Sequence, residues 1–120
     1  MPLTILYAED NRILSDAVRE ILADEGWKVD TCDDGLTVLS RLESAKPYDL
    51  IILDYELPRM NGADLAACAR QLPHRAETPI IVVSARDVRG IARAAGATWF
   101  LHKPDDMRNL VGVVKRLTNF

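Results

Sequence analysis

The sequence lacks the features that mark several specialised classes of protein. It has only two cysteines in 120 residues, Cys32 and Cys68, and they belong to no C-x-x-C or Cys/His pattern. A disulfide framework or a zinc site is therefore not indicated, and both cysteines are interpreted as reduced, half-buried thiols. No apolar run approaches the ~20 residues that a membrane-spanning helix needs, so we expect no membrane insertion.

An excess of positive charge is also missing. The formal net charge is −3 and the isoelectric point is about 5.3, which argues against direct contact with nucleic acid. The opening MPLTILYAED has no basic segment of the kind that begins a signal peptide. Together these features favour a cytoplasmic protein.

The composition is that of an ordinary folded domain. Hydrophobic residues make up 48% of the chain, which is typical of a globular protein rather than a disordered one. The sequence has no internal repeat, low-complexity tract or linker, and its length predicts a single domain over residues 1–120. We expect no separate output domain in this chain.

Short apolar runs alternate with helical patterns along the whole chain. In the helical patterns apolar residues recur at intervals of three and four, and Gly or Pro ends most of them. A strand followed by a helix, repeated five times, predicts a parallel sheet with helices on both faces. The expected fold is a doubly wound α/β sheet of flavodoxin-like type with strand order 2-1-3-4-5. The five predicted strands are residues 3–8, 27–32, 49–54, 78–85 and 98–104.

Chemically active side chains collect where the predicted strands end, which is where ligands bind in such sheets. Glu9 and Asp10 follow the first strand, Asp54 ends the third, Ser84 lies at the end of the fourth and Lys103 at the end of the fifth. Two like charges ~4 Å apart repel by roughly 4 kcal/mol at an effective dielectric near 20. The lysine offsets part of this repulsion, and Mg²⁺, or Mn²⁺ as an alternative, would offset the rest. This set of groups suits phosphoryl chemistry at a carboxylate.

Each of these residues also has an ordinary structural interpretation. Glu9 and Asp10 fit the cap and first turn of a helix, while Ser84, Lys103 and Glu56 fit polar groups at a surface. Their coincidence at the ends of alternating strands is what favours a site. Two tryptophans are interpreted as packing residues, and two histidines are assigned no chemistry: Trp27, Trp99, His74 and His102.

Four segments resemble those of one family, the response-regulator receiver domains of bacterial two-component signalling. ILYAEDN resembles the family's first strand with its acidic pair, and DLIILDYELPRMNG resembles its phosphoacceptor segment. PIIVVSA resembles the strand that ends in the switch hydroxyl, and GATWFLHKP resembles the segment with the switch aromatic and the Lys-Pro pair. The resemblance covers the whole chain and implies a receiver for phosphorelay signal transduction.

The resemblance implies a role for each residue at the strand ends. Asp54 accepts the phosphoryl group and becomes an aspartyl phosphate. Asp10 is a direct Mg²⁺ ligand, Glu9 acts through water, and Asp54 and the backbone carbonyl of Glu56 complete the protein's ligands. Lys103 contacts a phosphoryl oxygen as a point charge.

The resemblance also implies a switch and a set of partners. Ser84 donates a hydrogen bond to the phosphoryl group, Phe100 takes the place of the switch aromatic, and the Lys103–Pro104 bond is a candidate cis peptide. The phosphoryl donor is a sensor histidine kinase or a phosphotransfer protein. The face of the fourth helix, fifth strand and fifth helix then changes for a downstream protein target or a separate output domain. The chain is expected to be a phosphoacceptor and not a multiple-turnover enzyme.

The sequence departs from the family pattern around the switch. The usual aromatic is tyrosine, and Phe100 has no hydroxyl to form a hydrogen bond. Trp99 stands where a small or acidic residue is usual. The span of residues 84–96 is shorter than is common, so we expect a trimmed fourth helix or leading loop.

Two charged residues follow the site residues at the same distance. Glu56 comes two positions after Asp54, and Arg86 comes two positions after Ser84. The family tunes the lifetime of the phosphoryl group at these two positions. We therefore predict that Glu56 and Arg86 approach each other across the mouth of the site.

Three other functions share part of this pattern. A pseudo-receiver would keep the fold as a protein-interaction module without being phosphorylated. A haloacid-dehalogenase-type phosphohydrolase would use LDYE, Ser84, Lys103 and the pair Asp105-Asp106, but its nucleophile belongs to the first strand of the core. A flavin-binding protein would need a Ser/Thr/Gly-rich loop after the first strand, where this chain has Glu9 and Asp10.

Overall fold

Strands and helices alternate along the part of the chain that the structure, a computed structural model, describes, which is residues 2–119. A 3₁₀ turn, Met107–Asn109, leads into the last helix. No helix within residues 2–119 combines the length and the apolar character that crossing a membrane requires. The elements are β1 (Thr4–Ala8), α1 (Arg12–Asp24), β2 (Lys28–Cys32), α2 (Gly35–Glu43), β3 (Leu50–Asp54), α3 (Gly62–Gln71), β4 (Ile80–Ser84), α4 (Arg89–Ala94), β5 (Trp99–His102) and α5 (Leu110–Thr118).

The five strands form one parallel sheet in the order β2-β1-β3-β4-β5. This arrangement confirms the predicted flavodoxin-like fold and its strand order. The chain reverses its direction of winding between β1 and β3, so these two neighbours flank the switch point of the sheet. The register aligns Ala8 with both Cys32 and Leu53, and Ser84 with His102, so the carboxyl ends of all five strands lie along one edge.

Two apolar layers hold the helices against the sheet. Every residue of β3 and β4 is buried, as expected for parallel strands covered on both faces. Successive side chains of a strand point to opposite faces. One face therefore packs against α1 and α5 through Val18, Leu22, Val113 and Val114. The other face packs against α2, α3 and α4 through Val38, Leu42, Leu65, Ala66, Ala69 and Ala92.

The last two strands are shorter than the sequence pattern predicts. Pro79 precedes β4, and Pro104 follows soon after β5. Proline has no backbone N–H to donate to a neighbouring strand, so Pro79 limits the start of β4 and Pro104 limits the end of β5. Helix α4 has six residues, in agreement with the expectation of a trimmed fourth helix.

A buried arginine closes the end of α2, and nothing in the sequence pattern pointed to it. Arg75 is only 2% exposed, and its guanidinium donates to the carbonyls of Arg41, Leu42, Ser44 and Lys46 at 2.7–3.2 Å. Carbonyls at a helix end have no partner within the helix, so the guanidinium supplies the missing donors. The neighbouring residue is His74, to which the sequence assigned no chemistry. Its Nε2 lies 3.0 Å from the Leu42 carbonyl oxygen and 2.9 Å from that of Ser44.

The edge strand β2 is tied to the rest of the molecule through Asp30. Its carboxylate accepts hydrogen bonds from Arg41, from Lys46 at 3.2 Å and from the Tyr48 hydroxyl at 2.5 Å. Burial opposes the ionised form, but the bonds from Tyr48, Arg41 and Lys46 outweigh it and hold the pKa of Asp30 below its ordinary value. Ionised Asp30 therefore stabilises the folded chain.

This network predicts a stability that depends on pH. Because the pKa of Asp30 is lower in the folded chain than its unfolded value of about 3.9, its contribution is complete above that pH. It is lost as the pH falls through the folded-state pKa. Asp30→Asn should lower the free energy of unfolding at pH 7, because it removes the charge that accepts these hydrogen bonds. The loss should be only about 1–2 kcal/mol, because water weakens the bonds from the partly exposed Arg41 and Lys46.

Urea denaturation at pH 7 and near pH 2.5 measures this effect. The difference between Asp30→Asn and the wild type should shrink at the lower pH, where Asp30 is protonated in the unfolded chain and its ionised form no longer favours the folded chain as strongly. Asp24→Asn is the matched control, because Asp24 is an exposed acid at the end of α1. A difference that stays constant across this pH range would contradict the role given to Asp30.

Candidate functional site

The ends of the strands bring the predicted site residues together. Glu9 directly follows β1, Asp54 is the last residue of β3, and Ser84 is the last residue of β4. Backbone hydrogen bonds continue the sheet past these ends, from Glu9 N to the Cys32 carbonyl at 3.0 Å and from Lys103 N to the Ser84 carbonyl at 2.8 Å. The side chains are thus fixed by the sheet itself.

Three carboxylates form an acidic cluster, defined here as Glu9, Asp10 and Asp54. One oxygen from each lies within 4.8 Å of the other two. Glu9 and Asp54 are buried and Asp10 is exposed, so the cluster opens to solvent on the side of Asp10. Hard divalent ions such as Mg²⁺ prefer oxygen ligands of this kind, and the donor set fits such an ion.

The side chain of Lys103 bridges the two buried acids. Its Nζ lies 2.7 Å from Glu9 Oε1 and 3.1 Å from Asp54 Oδ2. Burial alone would lower the pKa of Lys103, but the two carboxylates outweigh this effect and the pKa is raised. For Glu9, burial raises the pKa, the bond from Lys103 lowers it and the charge of Asp54 raises it again, with a net rise. One ammonium group therefore faces three carboxylates and leaves the cluster with excess negative charge.

Helix α1 is capped by another residue, so the acidic pair is available for chemistry. The Asn11 side chain accepts the backbone N–H of Leu14 at 3.1 Å. Glu9 Oε2 accepts the backbone N–H of Asn11 at 3.1 Å, which is the N–H of the cap residue itself. The interpretation of Glu9 and Asp10 as an ordinary helix cap is therefore wrong.

A close approach of backbone to backbone fixes the segment that follows Asp54. Gly62 begins α3, and a Cβ atom there would lie 2.6 Å from the Asp54 carbonyl oxygen. Its N–H donates to the Tyr55 carbonyl at 3.1 Å. Only glycine fits this contact, which holds the start of α3 against the end of β3.

The hydroxyl of Ser84 is already bonded to a carboxylate. Ser84 is fully buried, and its Oγ donates toward Glu56, at 2.7 Å from Oε1 and 3.0 Å from Oε2. Arg86 Nε lies 3.9 Å from Glu56 Oε1, so these two side chains meet as predicted. Glu56 is therefore not a free acid in a loop, and its bond to Ser84 was missing from the sequence interpretation.

An open cavity lies beside the residue in the position of the switch aromatic. The ring of Phe100 is half-buried and the Arg89 guanidinium lies 5.5 Å from its centroid. The edge cavity, as we call it, has a volume of about 360 Å³ and lies between α4 and β5. Its lining includes Arg89, Ala92, Arg93, Trp99 and Phe100.

The remaining predicted features lie nearby or pack elsewhere. The Lys103–Pro104 peptide bond is cis. Trp27 is buried in the layer beneath α1, whereas Trp99 is half-buried with the Arg116 guanidinium 5.5 Å from its ring. His102 Nε2 lies 2.9 Å from the Ala85 carbonyl oxygen.

Comparison with known proteins gives the same assignment as this geometry. The family model "Response regulator receiver domain" matches residues 5–115. The response regulator MprA of Mycobacterium sp. (strain KMS) is 31% identical over 120 residues, which are 98% of this chain and 51% of MprA. The chain spans about half the length or less of the curated relatives it matches.

Two solved structures are similar over nearly the whole chain. The receiver domain of the sensor histidine kinase PA1611 from Pseudomonas aeruginosa PAO1, with a magnesium ion in its active-site cleft, has a TM-score of 0.90 and 25% identity, with full coverage of both chains. The response regulator TrrA from Thermotoga maritima, in complex with Mg²⁺ and BeF, has a TM-score of 0.84 and 28% identity, with 98% of this chain and 99% of that chain covered. The sequence motifs, the sheet topology and these matches agree, and the chain belongs to the response-regulator receiver domain family.

Proposed function

We propose that this chain receives a phosphoryl group on Asp54 from a histidine kinase or a phosphotransfer protein. The observation that carries the proposal is the side chain of Asp54, which is buried at the end of β3 beside two other acids and bonded to Lys103 at 3.1 Å. Three acids at one edge of the sheet repel each other, so a purely structural role does not account for them. The chain acts as a phosphoacceptor that assists its own reaction and not as a multiple-turnover enzyme.

The transfer step uses one carboxylate oxygen of Asp54. That oxygen attacks phosphorus and forms a new P–O bond, while the bond from phosphorus to the donor atom breaks and its electron pair leaves with the donor. Lys103 is placed to pair with a phosphoryl oxygen once its bond to Asp54 is released. The raised pKa of Lys103 keeps it charged for this task.

Mg²⁺, with Mn²⁺ as an alternative, would be held by Asp10 and Asp54, with Glu9 acting through water and Glu56 contributing its backbone carbonyl. The ion would neutralise charge on the transferred group. The acidic cluster supports this assignment because Lys103 alone does not balance three carboxylates. The excess negative charge is the reason for expecting a divalent cation.

The proposed output is a change at the α4–β5–α5 face. Phe100 lies on this face next to the edge cavity, which leaves room for its ring to move inward. Because phenylalanine has no hydroxyl, the movement acts through packing, and it takes the ring away from the Arg89 guanidinium. A downstream protein or a separate output domain would recognise the changed face.

The acidic cluster predicts that Asp10→Asn has opposite effects with and without Mg²⁺. In EDTA the substitution removes like-charge repulsion at an exposed position, and the free energy of unfolding should rise by up to about 1 kcal/mol. Saturating Mg²⁺ should stabilise the wild type more than Asp10→Asn, since a bound ion favours only the folded state. Urea denaturation in the two buffers measures this reversal.

Asp24→Asn is the control for this comparison, since Asp24 is an exposed acid at the far end of α1. It should respond to Mg²⁺ as the wild type does. If Mg²⁺ stabilises Asp10→Asn and the wild type equally, Asp10 is not a ligand of the ion.

Acetyl phosphate tests phosphorylation directly. With Mg²⁺ and acetyl phosphate, the intact mass of the wild type should show one labile phosphoryl adduct. The adduct should be absent from Asp54→Asn and from samples with EDTA, and present in Asp24→Asn. A wild type that forms no adduct would favour the pseudo-receiver, and rapid multiple turnover of diverse phosphate esters would favour the phosphohydrolase.

The two tryptophans provide a reporter of the proposed switch. Trp99 lines the edge cavity with Phe100, whereas Trp27 is buried near the opposite edge of the sheet, just before β2. Phosphorylation or beryllofluoride should change the tryptophan emission of the wild type and of Trp27→Phe, because the surroundings of Trp99 change. Trp99→Phe should show no change, and an equal change in that variant would contradict a switch that reaches β5.

A further inference from the structure

The hydrogen bond from Ser84 to Glu56 uses the hydroxyl proton that a phosphoryl oxygen would need. The Ser84 hydroxyl has a single proton to donate, and in the resting chain it is directed at the Glu56 carboxylate at 2.7 Å. Its oxygen also accepts the backbone N–H of Arg86 at 3.0 Å. Ser84 is fully buried, so no water competes freely for this bond.

The same carboxylate is held near Asp54 by its own backbone. The N–H of Glu56 donates to Asp54 Oδ1 at 3.2 Å. A phosphoryl group on Asp54 would therefore place a group with a charge of about −2 close to Glu56, where the free carboxylate carries a charge of −1. Like charges repel, and the phosphoryl oxygens would compete with Glu56 for the one proton of Ser84.

We propose that Glu56 is a positioning residue that holds the Ser84 hydroxyl away from the phosphoryl site until phosphorylation of Asp54 displaces it. The inference rests on the proposed function and adds a competing acceptor to it. The two acceptors exclude each other because a hydroxyl has one proton. Glu56 thus opposes the switched state, and its removal makes that state easier to reach.

Arg86 offers the displaced carboxylate a closer ion pair. Its Nε is 3.9 Å from Glu56 Oε1, and its side chain is mostly exposed and free to close this gap. In the resting chain the Arg86 guanidinium lies 5.4 Å from the centroid of the Tyr55 ring. Release of Glu56 from Ser84 would draw Arg86 away from Tyr55, which carries the change to the surface just before α4.

Beryllofluoride binding to the full chain, with Mg²⁺ and excess fluoride, tests the proposal. Its dissociation constant is measured by tryptophan emission for the wild type, Glu56→Ala, Ser84→Ala and the double variant. Glu56→Ala should tighten binding about tenfold in the wild-type background, as expected for the loss of a charge-assisted hydrogen bond. In the Ser84→Ala background the same substitution should tighten binding by no more than about twofold.

Two further variants separate the hydrogen bond from the charge. Glu56→Gln removes the charge but keeps an acceptor, and it should tighten binding less than Glu56→Ala does. Glu43→Ala removes one exposed negative charge at the end of α2 and should leave the dissociation constant unchanged.

The amide signal of Arg86 gives an independent readout by NMR, since this amide donates to Ser84 Oγ. It should shift in Glu56→Ala but not when that substitution is added to Ser84→Ala.

Equal effects of Glu56→Ala in both backgrounds would overturn the proposal, because Glu56 would then act by charge alone. Weaker binding by Glu56→Ala would overturn it as well. A wild type that binds no beryllofluoride and forms no adduct with acetyl phosphate would overturn the proposed function and this inference with it. Binding by the wild type without coupling between Glu56 and Ser84 would overturn this inference alone.

Discussion

The ion pair of Lys103 with Glu9 and Asp54 is the interaction on which the site depends. It joins β1, β3 and β5, which are not all neighbours in the sheet, at 2.7 and 3.1 Å. Without the ammonium group, two buried carboxylates would face each other with only backbone N–H donors and no positive charge between them, which is unfavourable. In the proposed reaction, Lys103 would hold the Asp54 carboxylate in place as the nucleophile, while the cluster stays short of positive charge.

The buried strands make this arrangement rigid. All residues of β3 and β4 are buried, so Asp54 and Ser84 stand on the best-packed part of the sheet. Close packing resists small displacements, which lets a site hold charged groups in an unfavourable arrangement. Gly62 adds a second constraint, since its contact with the Asp54 carbonyl leaves no room for a side chain. The apolar core thus supplies the free energy that holds the acids together.

The sequence alone predicted the parts that follow from periodicity and from strand ends. Continuous apolar runs predicted β3 and β4, and the topology rules then placed Asp54, Ser84 and Lys103 at one edge of the sheet. Other features depend on where loops place long side chains, which periodicity does not encode. Arg75 is an arginine in a polar loop by its sequence, yet it is buried as the cap of α2. The bond from Ser84 to Glu56 is of the same kind, although the matching two-residue offsets of Glu56 and Arg86 did predict that these two side chains meet.

The absence of a hydroxyl on Phe100 changes what would hold the ring in the proposed switch. A tyrosine ring can be held in place by a hydrogen bond, but the position of Phe100 depends only on what packs around it. In this chain that surrounding includes the Arg89 guanidinium on the ring and a cavity of about 360 Å³ beside it. A ring that moved into the cavity would bury apolar area and would leave Arg89 without its contact. The balance between these two effects sets the resting position of Phe100. Release of Ser84 from Glu56 would therefore shift the packing of this ring, whereas in a tyrosine it would also shift a hydrogen bond of the ring hydroxyl.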